Sequence, residues 1–533
     1  MSATLLTRGH VYAQQDPFAT AMLVLDGRVA WIGDDAGAAS LAPDTAAVID
    51  LRGALVTPAF VDAHVHLTAT GLALTGLDLS VAGSLAECLA LIGQAADTTD
   101  GAILGHGWDD SSWPEQRPPS LAELDARVGG RVAYLSRVDV HSALASSALR
   151  AQVPDARSAD GWSDSGPLAR SAHHAVRTAA YAGIDDLQRG RAQHAALDHA
   201  ASQGIASVHE NAGPTISSED DLRAALSLGS RPDRPEVIGY WGSLGAHEQA
   251  RRLGARGAAG DLFADGSLGS HTACLHQPYL DARPPTTGAS YLTADEIAEH
   301  VEGATRAGLQ AGFHVIGDAA TATVVEGLER AAARVGADAM RAARHRLEHL
   351  EMPSPEHLVS LAELGVVASV QPAFDAAWGG PDGMYAQRLG ADRAAGLNPF
   401  ADMVRAGVAL AFGSDAPVTP LDPWGAVRAA AWHTHAPHAI SVRAAFAAHT
   451  RGGRRAARDE GDQPGVLAVG APATYAIWAP GPLAVQAPDG RVAAWSTDPR
   501  SGVAPLPDLE RGQPTCWRTV RDGHIVFDAG ALS

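Results

Sequence analysis

Short apolar runs recur along the middle of the chain, each closing on polar or small residues. They are AFVDAHVH near residue 60, IASVHEN near 206, EVIGYWG near 238, GDLFADGS near 263, AGFHVIG near 313, HRLEHLE near 348, VVASVQP near 368 and VALAFGSD near 412. Between most of them lie Ala-rich stretches with helical spacing, such as ADEIAEHVEGATRAG and ATATVVEGLERAAARVG. Strands that are apolar throughout and alternate with helices belong to a parallel sheet covered on both faces. Eight such units predict an α/β fold, a (β/α)8 (TIM) barrel over residues 57–455.

The spacing breaks once. About 130 residues separate the first two strands and carry strand patterns of their own, GAILGHG and RVAYLSRVDV. Structureless loops of that length are rare in compact domains, so residues 70–190 are predicted to form an inserted α/β subdomain over the barrel mouth. The two ends of the chain read differently. LLTRGHVYA, AMLVLDGRVAWIG and AAVIDLRGALVTP at the start, and ATYAIWAP, VAAWSTDP and CWRTVRDGHIVFDAG at the finish, are short β patterns, with Asp26-Gly27 and Asp522-Gly523 as hairpin turns. Residues 1–56 and 465–533 are therefore expected to be two halves of one small β-sandwich domain.

Composition narrows the partners. A formal charge of −20 argues against nucleic acids and anionic membranes, which need clustered cations. Cys88, Cys274 and Cys516 are too far apart for a disulfide framework or a CxxC metal motif. The start lacks the apolar core of a signal peptide and no run of about 18 apolar residues appears, so a cytoplasmic protein acting on a small molecule is expected. All 40 basic residues are arginine; the sequence contains no lysine.

The candidate chemistry begins at VTPAFVDAHVHL, residues 56–67, where His64 and His66 sit at alternate positions of a strand and face the same way. Neutral imidazole is a common ligand for zinc and similar ions. Alone the pair is a weak signal, but His314 ends strand 5, His349 ends strand 6 and Asp415 ends strand 8. Barrel enzymes perform their chemistry at the C-terminal ends of strands. Five ligand-type residues would thus meet at one end of one cavity.

The motifs VDAHVHL, FADGSLGS, HVIGDAA, RLEHLE, SVQP and GSDAPV together resemble the amidohydrolase superfamily, within it the amidohydrolase 3 group of YtcJ-like and N-substituted formamide deformylase-like proteins. The resemblance covers essentially the whole chain. It implies one or two divalent ions, usually zinc, bound by His64, His66, His314, His349 and Asp415, and homodimers are common among such proteins. The chain departs from the pattern at strand 4, where relatives with two metals carry a carbamylated lysine that bridges the ions. Asp261 in GDLFADGS stands in its place. A carboxylate on so short a side chain is expected to fall ångströms short unless the strand shifts, which favours a single ion held by His64, His66, His314 and Asp415, with His349 as a further ligand or a substrate contact.

The expected reaction is hydrolysis of a non-peptide C–N bond of the N-acyl or N-formyl amide type. Metal-activated water attacks, Asp415 acts as general base and then acid, and His349 polarises the carbonyl. For substrate contacts the chain offers Trp108 and Trp113 in the insertion, Asp265, Ser267 and Ser270 after strand 4, and Gln371 and Trp378 after strand 7. His106, Asp109, His141, His209 and Glu210 are further polar groups without an assigned role. Two rival readings stay open. Hydrolytic deamination of a cyclic amidine would need an acid after strand 5, where only Asp318 is available; alternatively, a barrel lacking its lysine could be a non-catalytic binding protein.

Overall fold

The computed structural model describes residues 2–41, 43–98, 101–461, 463–485 and 503–532. Its centre is an eight-stranded parallel sheet: β1 (Phe60–Val65), β2 (Ile205–Ala212), β3 (Glu236–Trp241), β4 (Gly257–Ala258), β5 (Gln310–Val315), β6 (Arg346–His349), β7 (Val367–Val370) and β8 (Ala409–Phe412). Each strand pairs with its neighbour in sequence. Val65 bridges to Ala416, and Asp62 Oδ1 accepts the backbone N–H groups of both His64 and Ser414, so the eighth strand closes on the first. This is the TIM barrel with additions expected from the pattern. Helices lie between the strands, and Ala294–Arg306 opens on a capping box at Thr293 and Glu296. No helix among the described residues is long and apolar enough to cross a membrane.

The fourth strand differs from expectation. GDLFADGS is not its body: the ladder ends at Ala258, and Gly260 at φ +87° turns the chain out of the sheet. Only Phe263 returns, bridging to His314. Asp261 lies on that bend.

Between β1 and β2, a five-stranded sheet of residues 77–169 with helices on it forms its own apolar cores. It is tied to the barrel mouth: His106 Nε2 meets the Pro417 carbonyl at 2.9 Å, and the Asp139 carboxylate accepts the hydroxyls of Ser267 and Ser270. At the other end of the barrel, strands from both chain termini share a second five-stranded sheet, which packs with a four-stranded N-terminal sheet around one apolar cluster. Asp26-Gly27 and Asp522-Gly523, each pair at positive φ, make two-residue hairpin turns there. The β pattern VAAWSTDP lies outside the described residues.

The barrel interior beneath the mouth is polar. Arg346 and Glu348, two apart on β6, both point inward; Arg346 Nε lies 2.5 Å from Glu348 Oε1, and the guanidinium also reaches the Ala63 carbonyl, Ser369 Oγ and His209 Nδ1. It stacks 4.3 Å from the Tyr240 ring. Gly312 makes this crossing feasible, since a Cβ there would meet Arg346 Cγ at 2.8 Å and its carbonyl at 2.9 Å. Removing one partner of such a pair strands the other in low dielectric. Arg346→Met should cost about 3–5 kcal/mol in urea denaturation, and the double change Arg346→Met/Glu348→Gln should recover part of that loss.

Candidate metal centre and active site

Asp62, His64 and His66 follow the two-residue strand period, and all three face the barrel axis. His66 is the last residue before the helix Leu67–Thr75. His314 ends the inward row Gln310, Gly312, His314 on β5. His349 follows the inward-facing Glu348 and would alternate outward, but φ of +71° at His349 and +44° at Leu350 turns its ring back into the mouth. Asp415 is likewise left-handed at φ +54°, anchored by its N–H on the His64 carbonyl at 2.8 Å. Gly413 allows that close approach: a Cβ there would sit 2.5 Å from His64 N.

The side chains converge. Asp415 Oδ1 lies 3.2 Å from His64 Nε2 and 3.1 Å from His66 Nε2. Asp261 Oδ1 is 3.5 Å from His64 Nε2, 3.7 Å from His314 Nδ1 and 4.0 Å from His349 Nε2, while its Oδ2 is 3.2 Å from His66 Nε2. Each imidazole has its far nitrogen held by an acceptor: His64 Nδ1 by Glu348 at 2.9 Å, His66 Nδ1 by the Asn211 carbonyl at 3.1 Å, His314 Nε2 by the Gly266 carbonyl at 3.2 Å, and His349 Nδ1 by Gln371 Oε1 at 2.8 Å. An N–H therefore sits on the outer nitrogen, and the inner nitrogen is the one that faces the centre, where His64 and His66 carry a second proton in the metal-free protein. Metal-ligating histidines are oriented in this way.

The donors fit a cation. His64 Nε2, His314 Nδ1, Asp261 Oδ1 and Asp415 Oδ1 are buried with no aligned hydrogen-bond partner, although they attract one another as charges. Buried polar atoms are rarely left so. Three trios bring their donor atoms within 4.8 Å of one another: His64, His349, Asp415; His64, His66, Asp261; and Asp261, His314, His349. Burial pushes the His64 and His66 imidazoles down, but Asp415 and Asp261 outweigh it, holding His64 well above the usual range and His66 at about 9. Burial would raise Asp261 and Asp415, yet the imidazoles hold both carboxyls below the usual carboxylate range. His349, by contrast, is lowered to about 3 by burial and by His314.

Several expectations change. Asp261 is not short of the site: the bend at Gly260 carries its backbone to the centre, so the strand shifts instead of the side chain reaching. His349 is a poor donor to a carbonyl, because Gln371, whose amide nitrogen faces the Ser369 carbonyl, fixes the proton on the outer nitrogen. Gln371 accordingly holds His349 and does not face substrate. Trp108 and Trp113 lie in the apolar core of the insertion, their N–H groups on the Leu135 and Ala82 carbonyls, and line no cavity of the site. Asp265 is fully buried, accepting the backbone N–H groups of Cys274, Ile316 and Gly317. Ser267 borders the cavity, with its hydroxyl committed to Asp139. Asp318 accepts the N–H groups of His276 and Ala319 and stands outside the cavity.

Two connected spaces open from the centre. One, a narrow space of about 40 Å³, is walled by Tyr134, His141, His174, Arg177, Tyr181, Ile216 and Phe263. The other, of about 30 Å³, is lined by Leu268, Phe374, Trp378, Met384, Tyr385 and Glu351, with Arg137 and Asp139. Both share His141, His314, His349 and Asp415. Sequence reasoning missed Glu351, whose carboxyl burial raises to about 7, although it closes the quoted motif RLEHLE. It also missed Arg177, which no motif marks.

Comparison with known proteins gives the family and the fold. The profile of the amidohydrolase family matches residues 47–527. The putative amidohydrolase YtcJ of Bacillus subtilis (strain 168) is 27% identical over 404 residues, covering 70% of this chain and 73% of its own. The N-substituted formamide deformylase of Arthrobacter pascens is 25% identical over 444 residues, covering 77% and 80%. Among solved structures, an uncharacterized metal-dependent hydrolase from Pyrococcus furiosus superposes with a TM-score of 0.69 at 26% identity, covering 89% of this chain and 98% of that one.

The protonation pattern has a measurable consequence. With His66 at about 9 and His64 also raised, both imidazoles carry protons at pH 7 in the metal-free protein, and a cation must displace them. Zinc affinity should therefore rise from pH 7 to about pH 9, roughly tenfold per unit for each proton released. Calorimetry in two buffers of different ionisation enthalpy counts those protons; an affinity independent of pH would contradict the assignment.

Proposed function

We propose, because the chain belongs to the amidohydrolase family and is a hydrolase, that it cleaves non-peptide C–N bonds of the N-acyl or N-formyl amide type, with His64, His66, Asp261, His314, His349 and Asp415 as the residues that would hold two divalent ions. The observation that carries this reading is the membership of Asp261 in two donor trios, one with His64 and His66 and one with His314 and His349. A tetrahedral ion takes four ligands, and six donor side chains converge here. A lone ion would leave buried donors uncompensated. The geometric reason for preferring one ion, a carboxylate held too far away, is absent. The reading of the amide bond as substrate draws on the likeness to the formamide deformylase.

A divalent ion, when bound, supplies positive charge that polarises a carbonyl and lowers the pKa of water to about 7. The protein's own groups do the rest. Asp415, anionic and fixed by its left-handed backbone, is placed to take a proton from the attacking water and deliver it to the leaving nitrogen. Glu348 Oε2, the Asn211 and Gly266 carbonyls and Gln371 Oε1 accept the outer N–H groups, which keeps each inner nitrogen turned toward the centre as the one a cation would take. The walls of the insertion exclude bulk water, which strengthens each charge interaction at the mouth.

The test measures metal and activity together. Protein purified with zinc should hold about two ions per chain, and Asp261→Ala should hold fewer. Hydrolysis of N-formyl and N-acyl amines should vanish on chelation and return with zinc. Asp415→Asn should lower kcat by about 10²–10⁴-fold. One ion per chain in the unaltered protein returns the site to the mononuclear reading. A content near zero favours a binding protein, and amide hydrolysis that survives exhaustive chelation defeats the metal mechanism.

A further inference from the structure

Five arginines are buried among the described residues: Arg137, Arg150, Arg177, Arg346 and Arg518. Four are compensated. Arg137 faces Asp109, Asp110 and Asp139, Arg346 pairs with Glu348, Arg518 pairs with Asp528, and Arg150 donates to the carbonyls of Ala145, Ser163 and Gly166. Arg177 is the exception. It is 6% exposed, on the insertion helix Arg170–Ala182. Its one hydrogen bond runs from Nη2 to the Thr215 carbonyl, Nε is buried without a partner, and no Asp or Glu among the described residues pairs with it.

The surroundings do not neutralise it. Tyr134, Tyr181, His141 and His174 share its cavity wall, and His173 sits behind with Nε2 2.8 Å from the Tyr134 hydroxyl. An isolated guanidinium in low dielectric is costly unless an anion meets it. Its planar fork matches a carboxylate in two-point contact. The cavity it lines also holds His66, Asp261, His314, His349 and Asp415, so the missing anion belongs to whatever molecule places its scissile bond at those residues.

We infer that Arg177 is a specificity-determining residue that binds a carboxylate carried by the substrate, which makes the preferred substrate an amide bearing a carboxylate near the scissile bond, as in an N-acylated amino acid. The inference rests on the amide-hydrolase reading of the same site and adds to it the charge of the substrate. A neutral amide leaves the guanidinium uncompensated.

The experiment uses the zinc-loaded full chain and probe pairs that differ only in the carboxylate: N-formyl- and N-acetylphenylalanine, both configurations, against N-formyl- and N-acetylphenethylamine. Calorimetric Kd and kcat/KM are measured for each. The carboxylated member of at least one pair should bind about 10- to 100-fold more tightly, the range of a charge-assisted hydrogen bond. Arg177→Met should erase that preference, so that both members of each pair bind alike, and Arg177→Lys should keep part of it. Thermal unfolding of Arg177→Met should start no lower than that of the unaltered protein, because an uncompensated buried charge is removed; a structural arginine would give the opposite shift. Equal or undetectable binding of both members in the unaltered protein, or a preference that survives Arg177→Met, overturns the assignment. If none of the amides is hydrolysed, the hydrolase reading fails, while the binding comparison still decides the role of Arg177.

Discussion

Two carboxylates and four imidazoles buried within a few ångströms cannot satisfy one another by hydrogen bonds alone, and the upper half of this barrel is organised around that constraint. Asp261 and Asp415 are both anionic, and their nearest cationic neighbours are His64 and His66, whose protons a metal would displace. The layer below is balanced separately, by Arg346 against Glu348. Glu348 belongs to both layers, since its other oxygen takes His64 Nδ1. The charge of the site thus passes downward through one imidazole into a buried ion pair, which explains why the barrel core here is polar where bulky aliphatic layers are usual.

The same contacts close the barrel. Asp62 joins the His64 and Ser414 backbones, Asp415 N–H reaches the His64 carbonyl, and His66 N–H reaches the Ala416 carbonyl. The first and eighth strands therefore meet through the residues that hold the centre. A barrel whose last seam runs through its ligands ties ligand geometry to global stability. Left-handed backbone at His349, Leu350 and Asp415 is tolerated for the same reason, because the surrounding hydrogen bonds over-determine it.

Much of this was legible in the sequence wherever periodicity carries the information. The eight strands, the helices between them, the Asp-Gly hairpins and the His64/His66 pair follow from spacing alone. What was not legible depends on single dihedrals. Gly260 at φ +87° bends Asp261 into the centre, and a strand pattern through GDLFADGS gives no hint of it. Strict alternation would put Glu348 and His349 on opposite faces, and only the positive φ at His349 places both inward. Trp108 and Trp113 illustrate the converse. Large aromatic side chains near a mouth read as substrate contacts, but burying their area in a small subdomain core is the stronger drive, and the carbonyls of Leu135 and Ala82 were available for their N–H groups.

The insertion divides the labour. Its attachment is polar and specific: Asp139 accepts Ser267 and Ser270, His106 meets the Pro417 carbonyl, and Arg137, held by Asp109, Asp110 and Asp139, lies over the Trp108 ring. His106 lies on a strand of the insertion and Asp139 in the turn after the next one, and those strands have their own apolar core. The barrel supplies the candidate ligands and the proposed base, while the insertion supplies most of one cavity wall through Tyr134, His141, His174, Arg177 and Tyr181. That wall stands on elements separate from the seam between the first and eighth strands, where Asp62, His64 and Asp415 meet.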